Sequence, residues 1–232
     1  DFLNRLKESK NVDDQIAILK SAHASFPKNR EFVAKLDDLL TKKNDYETLA
    51  GIYKAMMEAD PEDIHAHAQL SRCYTRLGMF REAMAISQKI VDKGRADSNT
   101  YRRMAYIAGQ MGDFDNRVKY LRKALELAPG TDSIIIDLGK TYEQAGRPAE
   151  ALEIYKSAAG NARDREILIP VIEDALKKKN YKEAASLLKR YVTHYPKDGN
   201  AYAQLGMVMG RLGDADAQVA YYSRAVEISP KD

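Results

Sequence analysis

Proline and glycine recur along this chain at a nearly constant interval of 34 residues. The proline set is Pro27, Pro61, Pro129, Pro196 and Pro230, and the glycine set is Gly78, Gly112, Gly146 and Gly213. Neighbours within each set lie 34 residues apart or about twice that distance, with one residue missing after Gly146. A period in this range indicates one supersecondary unit repeated along the chain, each copy burying its apolar face against its neighbours. The recurrence therefore predicts a stacked array.

The period divides the 232 residues into seven units, the first of which is partial. The units are 1–29, 30–63, 64–97, 98–131, 132–164, 165–198 and 199–232. We predict that they form a single domain. The first unit begins in mid-helix, and Val219, Tyr222 and Val226 would be left uncovered at the other end. Because stacked repeats need polar caps, we expect a fragment of a longer protein.

Each half of a unit has the periodicity of an α-helix. Tyr101, Met104, Ala105 and Ala108 recur at spacings that place them on one helical face. Gly112 tolerates the positive φ that a tight turn needs, and a closing proline such as Pro129 stops the second helix. No segment alternates with a period of two over a useful length. The pattern therefore predicts an all-α fold.

Small and bulky residues alternate between the two helices of a unit. Small residues share one position on the first helix, and they are Ser71, Ala105, Gly139 and Gly206. Bulky residues share a position on the second helix, and they are Tyr53, Leu121, Tyr155, Leu188 and Tyr222. A small residue lets the partner helix approach closely, and we expect the bulky residues to fill the gaps that remain between the helices.

A 34-residue unit with these small and large positions, a turn glycine and a closing proline resembles the tetratricopeptide repeat. The resemblance covers the whole chain and implies a right-handed superhelical α-solenoid of stacked antiparallel helix pairs that binds another protein.

The chain departs from the family in lacking tryptophan. His67 is among the residues at the position where the family usually has tryptophan. In the sixth unit Ile172 replaces the small residue and Pro170 lies inside the first helix, so we expect that helix to start late or bend. The segment 160–164 lacks a closing proline, and we expect irregular stacking there. Pentatricopeptide repeats, which bind RNA, fit the small-residue pattern poorly.

The resemblance also implies that first helices line a concave surface. The candidate partner-binding residues on it are His65, Arg72, Arg76, Asn99, Arg102, Arg103, Tyr106, Gln110 and Lys140. Guanidinium groups form bidentate bonds to carboxylates, and Tyr and Arg dominate binding hot spots. One hypothesis is that these residues bind an acidic segment of a partner protein. The other is that the arginines pair with acids on nearby second helices and form only a solvated face.

Some family members hold the carboxyl terminus of heat-shock chaperones with a clamp that needs Lys and Asn one turn apart. The corresponding pairs here are Ala34 with Asp38, Ala68 with Arg72, and Arg102 with Tyr106. None of the three matches. We therefore do not carry that function over.

Little in the chain favours catalysis, a metal or a cofactor. His65 and His67 lie two residues apart and point in different directions on a helix. Cys73 is the one cysteine and is interpreted as a packing residue. The glycines are isolated turn residues, the net charge of +3 is small, and no apolar run is long enough to span a membrane.

We predict a protein–protein interaction scaffold that is not an enzyme, with no cofactor and no nucleic-acid partner. The alternatives are a recruiting arm of a larger enzyme or secretion assembly and, ranked last, an RNA-binding groove. Self-association through uncapped ends is a further prediction.

Overall fold

The computed structural model describes residues 2–9, 11–27 and 29–229, and over that part of the chain it contains fourteen α-helices and no strand. The helices are α1 Phe2–Glu8, α2 Val12–Ser25, α3 Arg30–Lys42, α4 Tyr46–Ala59, α5 Ile64–Arg76, α6 Phe80–Asp92, α7 Ser98–Gln110, α8 Phe114–Leu127, α9 Asp132–Gln144, α10 Pro148–Ala159, α11 Arg165–Lys177, α12 Tyr181–His194, α13 Gly199–Arg211 and α14 Ala215–Ile228. The all-α prediction is confirmed. Pro230, predicted to close the last repeat, lies outside the described residues.

The chain divides into two compact units, residues 1–113 and residues 114–232. The first contains α1 to α7 and the second α8 to α14. The division falls in the turn that follows Gly112, between α7 and α8. That all seven predicted repeats form one domain stays a prediction.

Within each compact unit, consecutive helices pack against each other in chain order. The two helices of a repeat pack together in α5 with α6, α9 with α10, and α13 with α14. The second helix also packs on the first helix of the following repeat, as α4 does on α5 and α12 on α13. Since short turns join them, neighbouring helices run antiparallel. This is the stacking of helix pairs that the repeat pattern predicts.

A residue with a left-handed backbone conformation, which means a positive φ, follows the first helix in several repeats. Gly78, Gly146 and Gly213 have φ of 74°, 72° and 83°. Asn44 and Lys179 occupy the equivalent place with φ of 56° and 55°. For residues with a Cβ this conformation costs about 1–2 kcal/mol. The turn geometry is therefore imposed by the helix pair and does not depend on glycine.

The predicted complementarity of small and bulky positions is present inside the repeats. A Cβ on Gly139 would lie 2.2 Å from Cζ of Tyr155, so this contact has no room for a side chain. At the same two positions of the third repeat, Ser71 and Ser87 form a buried hydrogen bond of 2.7 Å. His67 is buried, as its place in the repeat predicts, and its Nδ1 lies 2.8 Å from the Asp63 carbonyl.

Helix α11 starts at Arg165 and continues through Pro170, so the expectation of a late start is wrong. The Asp164 side chain accepts the N–H of Glu166 at 2.9 Å and caps the helix. The carboxylate of Asp132 accepts the N–H groups of Arg163 and Asp164 at 3.1 and 3.3 Å. These bonds hold the start of α11, and the helix continues through Pro170 although proline cannot donate the backbone hydrogen bond of that position.

No helix in the described ranges is long and apolar enough to cross a membrane.

Candidate partner-binding face

Helices α5 and α7 carry the predicted site residues of the first compact unit. Neither helix contains aspartate or glutamate, and together they carry Arg72, Arg76, Arg102 and Arg103. We call the exposed predicted residues on these helices the α5–α7 face, and they are His65, Arg76, Asn99, Tyr106 and Gln110. Arg72, Arg102 and Arg103 are half-buried beside them.

Arg72 is held by an acidic residue of the preceding repeat. Its Nη2 lies 2.7 and 2.5 Å from the two carboxylate oxygens of Asp37 on α3. The same carboxylate accepts the hydroxyl of Tyr53 at 2.5 Å and that of Thr41 at 3.1 Å. The hypothesis that the arginines pair with acids is therefore correct for Arg72. The predicted location of the acid is wrong, because Asp37 lies on a first helix.

The cluster around Asp37 shifts the pKa values of its members. Burial alone would raise the pKa of Asp37, but hydrogen bonds from Tyr53 and Arg72 and the charge of Arg72 outweigh it and lower this pKa. Burial raises the pKa of Tyr53, and the hydrogen bond to Asp37 raises it further. Burial would lower the pKa of Arg72, yet its bond to Asp37 raises it overall. The three groups thus stabilise an ionised Asp37 with a protonated tyrosine and arginine around it.

Asp37 is the residue that sequence reasoning missed. It stands 34 residues before Ser71 and so occupies the position that holds small residues in other repeats. Tyr53 stands 34 residues before Ser87 and takes the bulky position opposite. A carboxylate at a packing position requires a partner, because burying an unpaired charge is costly. The aspartate at a position that holds small residues in other repeats is the sequence feature that could have indicated this ion pair.

Arg103 also has an internal role. Its Nη1 donates to the Ala68 carbonyl on α5 at 2.5 Å. Burial lowers the pKa of Arg103, and the nearby charge of Arg72 lowers it further. The charge of Asp97 acts in the opposite direction and raises this pKa. A negative group near this pair of helices would meet a favourable field.

The α5–α7 face combines charge with an exposed aromatic ring. Tyr106 is 54% exposed. His65 meets the ring of Tyr53 edge-on with centroids 6.2 Å apart. The Oε1 of Gln69 and the Nε of Arg72 are buried and have no hydrogen-bond partner among the described residues.

Lys140 lies in the other compact unit, on α9. It forms an ion pair with Glu166 at the start of α11. The hydrogen bond to Glu166 raises the pKa of Lys140. This predicted binding residue thus already has an acidic neighbour.

The remaining reactive side chains give little support for catalysis. Cys73 is fully buried, as predicted for a packing residue, and burial raises the pKa of its thiol to about 11. A thiol in this state is a poor nucleophile near neutral pH. Across the residues that the structure covers, no group of three or more His, Cys, Asp or Glu side chains could hold a metal ion.

Three models of the tetratricopeptide repeat match the chain, over residues 50–104, 97–164 and 172–232. These ranges cover most of the sequence and agree with the helix pairs of the structure. The chain belongs to the tetratricopeptide repeat family.

Curated relatives are similar to the chain at low identity. Hsp70-Hsp90 organizing protein 1 of Glycine max is 23% identical over 204 residues, which are 82% of this chain and 34% of that protein. Cellulose synthase operon protein C of Escherichia coli is 27% identical over 161 residues, which are 67% of this chain and 14% of that protein. The chain therefore spans about a third or less of the length of these relatives.

Solved structures share the fold. A tetratricopeptide repeat protein from Parabacteroides merdae has a TM-score of 0.54 at 15% identity, with 86% of this chain and 79% of that chain covered. The C-terminal part of a repeat protein from Cytophaga hutchinsonii has a TM-score of 0.56 at 14% identity, with 83% and 78% covered. At such identities the likeness concerns the fold alone.

Proposed function

We propose that this chain is a protein-interaction scaffold and that its α5–α7 face binds an acidic or carboxylate-bearing segment of a partner protein. The observation that carries the proposal is that α5 and α7 hold four arginines and no acid, with Arg76 exposed and Arg72 in an ion pair with Asp37. Membership of the repeat family supports the general role, since stacked helix pairs present extended binding surfaces.

Two of the predicted binding residues, Arg72 and Arg103, are already held by contacts within the chain. Arg72 and Arg103 position the helices, because one bonds to Asp37 and the other to the Ala68 carbonyl. Arg76 and Tyr106 are exposed and can contact a partner without disturbing these bonds. We therefore assign partner contact to the α5–α7 face and positioning to the two inner arginines.

The test is a charge reversal on the face. Arg76→Glu combined with Tyr106→Ala removes the exposed cation and ring. Arg81→Glu, on the exposed surface of α6, is the matched control because it makes the same change of charge on a second helix. Binding of a fluorescein-labelled hexaglutamate peptide is measured by anisotropy at low and high salt, and proteins captured from the source lysate are identified in parallel.

The proposal predicts that the double variant loses at least about five-fold in peptide affinity, which corresponds to about 1 kcal/mol. The Arg81→Glu protein should keep its affinity within about two-fold, since a distant exposed charge is screened. Equal losses in both proteins would mean that only net charge matters, and this would exclude the α5–α7 face as the site.

A second candidate is a recruiting arm of a larger protein. The observation in its favour is the short span of the chain relative to its relatives, which is 34% of one and 14% of another. Sequencing the full reading frame tests it, because an additional catalytic or assembly domain would have to be encoded there.

A further inference from the structure

The second compact unit has an open crevice between the first helices of its last two repeats. The crevice encloses about 190 Å³ between α11 and α13. Buried side chains of Ile172, Leu188 and Ala201 form its floor. A cavity of about 150 Å³ with apolar walls accepts a group of benzene size. The space therefore suits one aliphatic side chain.

Three other pairs of successive first helices are bridged by side chains of the chain itself. Between α3 and α5, Arg72 and Asp37 form their ion pair, and between α5 and α7 the Arg103 side chain bonds to a carbonyl of α5. Between α9 and α11, Lys140 pairs with Glu166. No described ion pair or hydrogen bond joins the side chains of α11 to those of α13. Asp198 on this rim accepts a hydrogen bond from Tyr191, while the side chains of Arg165 and Glu173 remain available for another molecule.

The rim has a charge pattern along its length. Arg165, Ile169 and Glu173 follow each other at intervals of four residues on α11, so they form one stripe. Arg165 is exposed and sits over the Tyr195 ring at 5.9 Å, and Glu173 is exposed at the other end. Eight residues of helix separate the two charges by about 12 Å along the axis.

A second stripe of amides faces the first across the crevice. Asn200 and Gln204 lie one turn apart on α13, and both are exposed on the rim. Side-chain amides donate and accept hydrogen bonds, so they can pair with the backbone of an extended peptide. A peptide strand lying between the two stripes could form hydrogen bonds from its backbone N–H and C=O groups to these side-chain amides.

We propose that this crevice binds an extended peptide segment with an acid, an aliphatic residue and a base at alternate positions. In a strand, residues i, i+2 and i+4 point to the same side, and four residues span about 13 Å. That length matches the separation of Arg165 from Glu173. The acid then meets Arg165, the aliphatic side chain enters the cavity beside Ile169, and the base meets Glu173.

This site is separate from the α5–α7 face, although it rests on the same general proposal that the chain binds peptides. The two sites differ in the required ligand, because the α5–α7 face needs an anion and the crevice needs both charges in a fixed order. Their failures are therefore distinguishable. The Arg76→Glu, Tyr106→Ala protein is expected to bind the crevice ligand as well as the unchanged protein does.

The test exchanges the charges on both partners. A labelled peptide containing Glu-Thr-Leu-Thr-Lys is compared with one containing Lys-Thr-Leu-Thr-Glu, where the threonines favour an extended backbone. Both are titrated by anisotropy into the unchanged protein and into a variant with Arg165→Glu and Glu173→Arg. The two altered residues are exposed, and circular dichroism verifies that the variant remains folded.

The expected result is a reversal of preference. The unchanged protein should bind the first peptide at least about five-fold more tightly, and the variant should prefer the second by a similar factor, as two exposed ion pairs allow. Replacing the leucine by serine should abolish binding in both proteins, and Gln204→Ala should weaken it without changing the preference. Equal binding of the two peptides, an unchanged preference in the variant, or no binding of either peptide would overturn the proposal.

Discussion

The contact between Gly139 and Tyr155 offers a sharp test of how helix pairs are specified. Gly139 is buried on α9, and a Cβ there would lie 2.2 to 2.3 Å from Cζ, Cε1 and Oη of Tyr155 on α10. Tyr155 is itself only 2% exposed, so its ring cannot yield without losing burial. We therefore expect Gly139→Ala to force the ring or the helix to move.

The expected change in the free energy of unfolding is the difference between two opposing contributions. Inserting a methyl group into a packed core costs about 1–3 kcal/mol. Alanine gains about 1 kcal/mol over glycine in a helix interior because it loses less backbone entropy on folding. The difference is a loss of about 0–2 kcal/mol in the free energy of unfolding for the second compact unit, and the contact of 2.2 Å with a buried ring places the expectation in the upper part of that range.

Gly51 in the middle of α4 is the matched control. It is exposed, and a Cβ there would meet no atom within 4 Å. Gly51→Ala should therefore stabilise its helix by about 1 kcal/mol. Urea unfolding followed by circular dichroism measures both variants, and hydrogen exchange of α9 and α10 localises the effect of Gly139→Ala.

Shortening the opposing side chain should restore stability. In the fourth repeat the same two positions hold Ala105 and Leu121. We expect Tyr155→Leu to rescue Gly139→Ala by about 1 kcal/mol or more in a double-mutant cycle, because the pair then has the size of that natural combination. If Gly139→Ala were as stabilising as Gly51→Ala, the steric argument for the small position would be refuted.

Three further predictions concern single residues. Asp37→Asn should destabilise residues 2–113 by about 1–3 kcal/mol at pH 7, since a partly buried partner of Arg72 loses its charge. Because the pKa of Asp37 is lowered on folding, its contribution is present above the ordinary value of 3.8 and is lost as the pH falls through the folded pKa. Urea unfolding from pH 7 to pH 3 should therefore show a flatter pH dependence in the asparagine variant, and parallel curves would contradict this. With its pKa raised to about 11, Cys73 should react with a disulfide reagent only after unfolding, so rapid labelling of the folded protein would disprove its burial. Lys179→Gly should stabilise the turn after α11 by about 0.5–1 kcal/mol, and Gly146→Ala should destabilise the equivalent turn by a similar amount, as thermal unfolding can measure.

The helix pairs of this protein were predictable from the sequence alone. Turn residues such as Gly78 and Gly146, and the apolar spacing of Tyr101 and Met104, act within one or two helical turns. Because helix periodicity and turn chemistry are local, they can be read without knowing the tertiary structure. The small position at Gly139 belongs to the same class, since it is set by the partner helix of its own repeat.

The roles of the arginines were decided only by the tertiary structure. Arg72 and Asp37 are 35 residues apart, as are Arg103 and Ala68. Whether their side chains meet depends on the distance and angle between helices of neighbouring repeats, and composition carries no record of either. Arg72 and Arg76 are therefore alike in sequence, yet one is bound to a carboxylate and the other is exposed. The crevice beside Ile169 has the same origin, because an empty volume exists only once α11 and α13 are placed side by side.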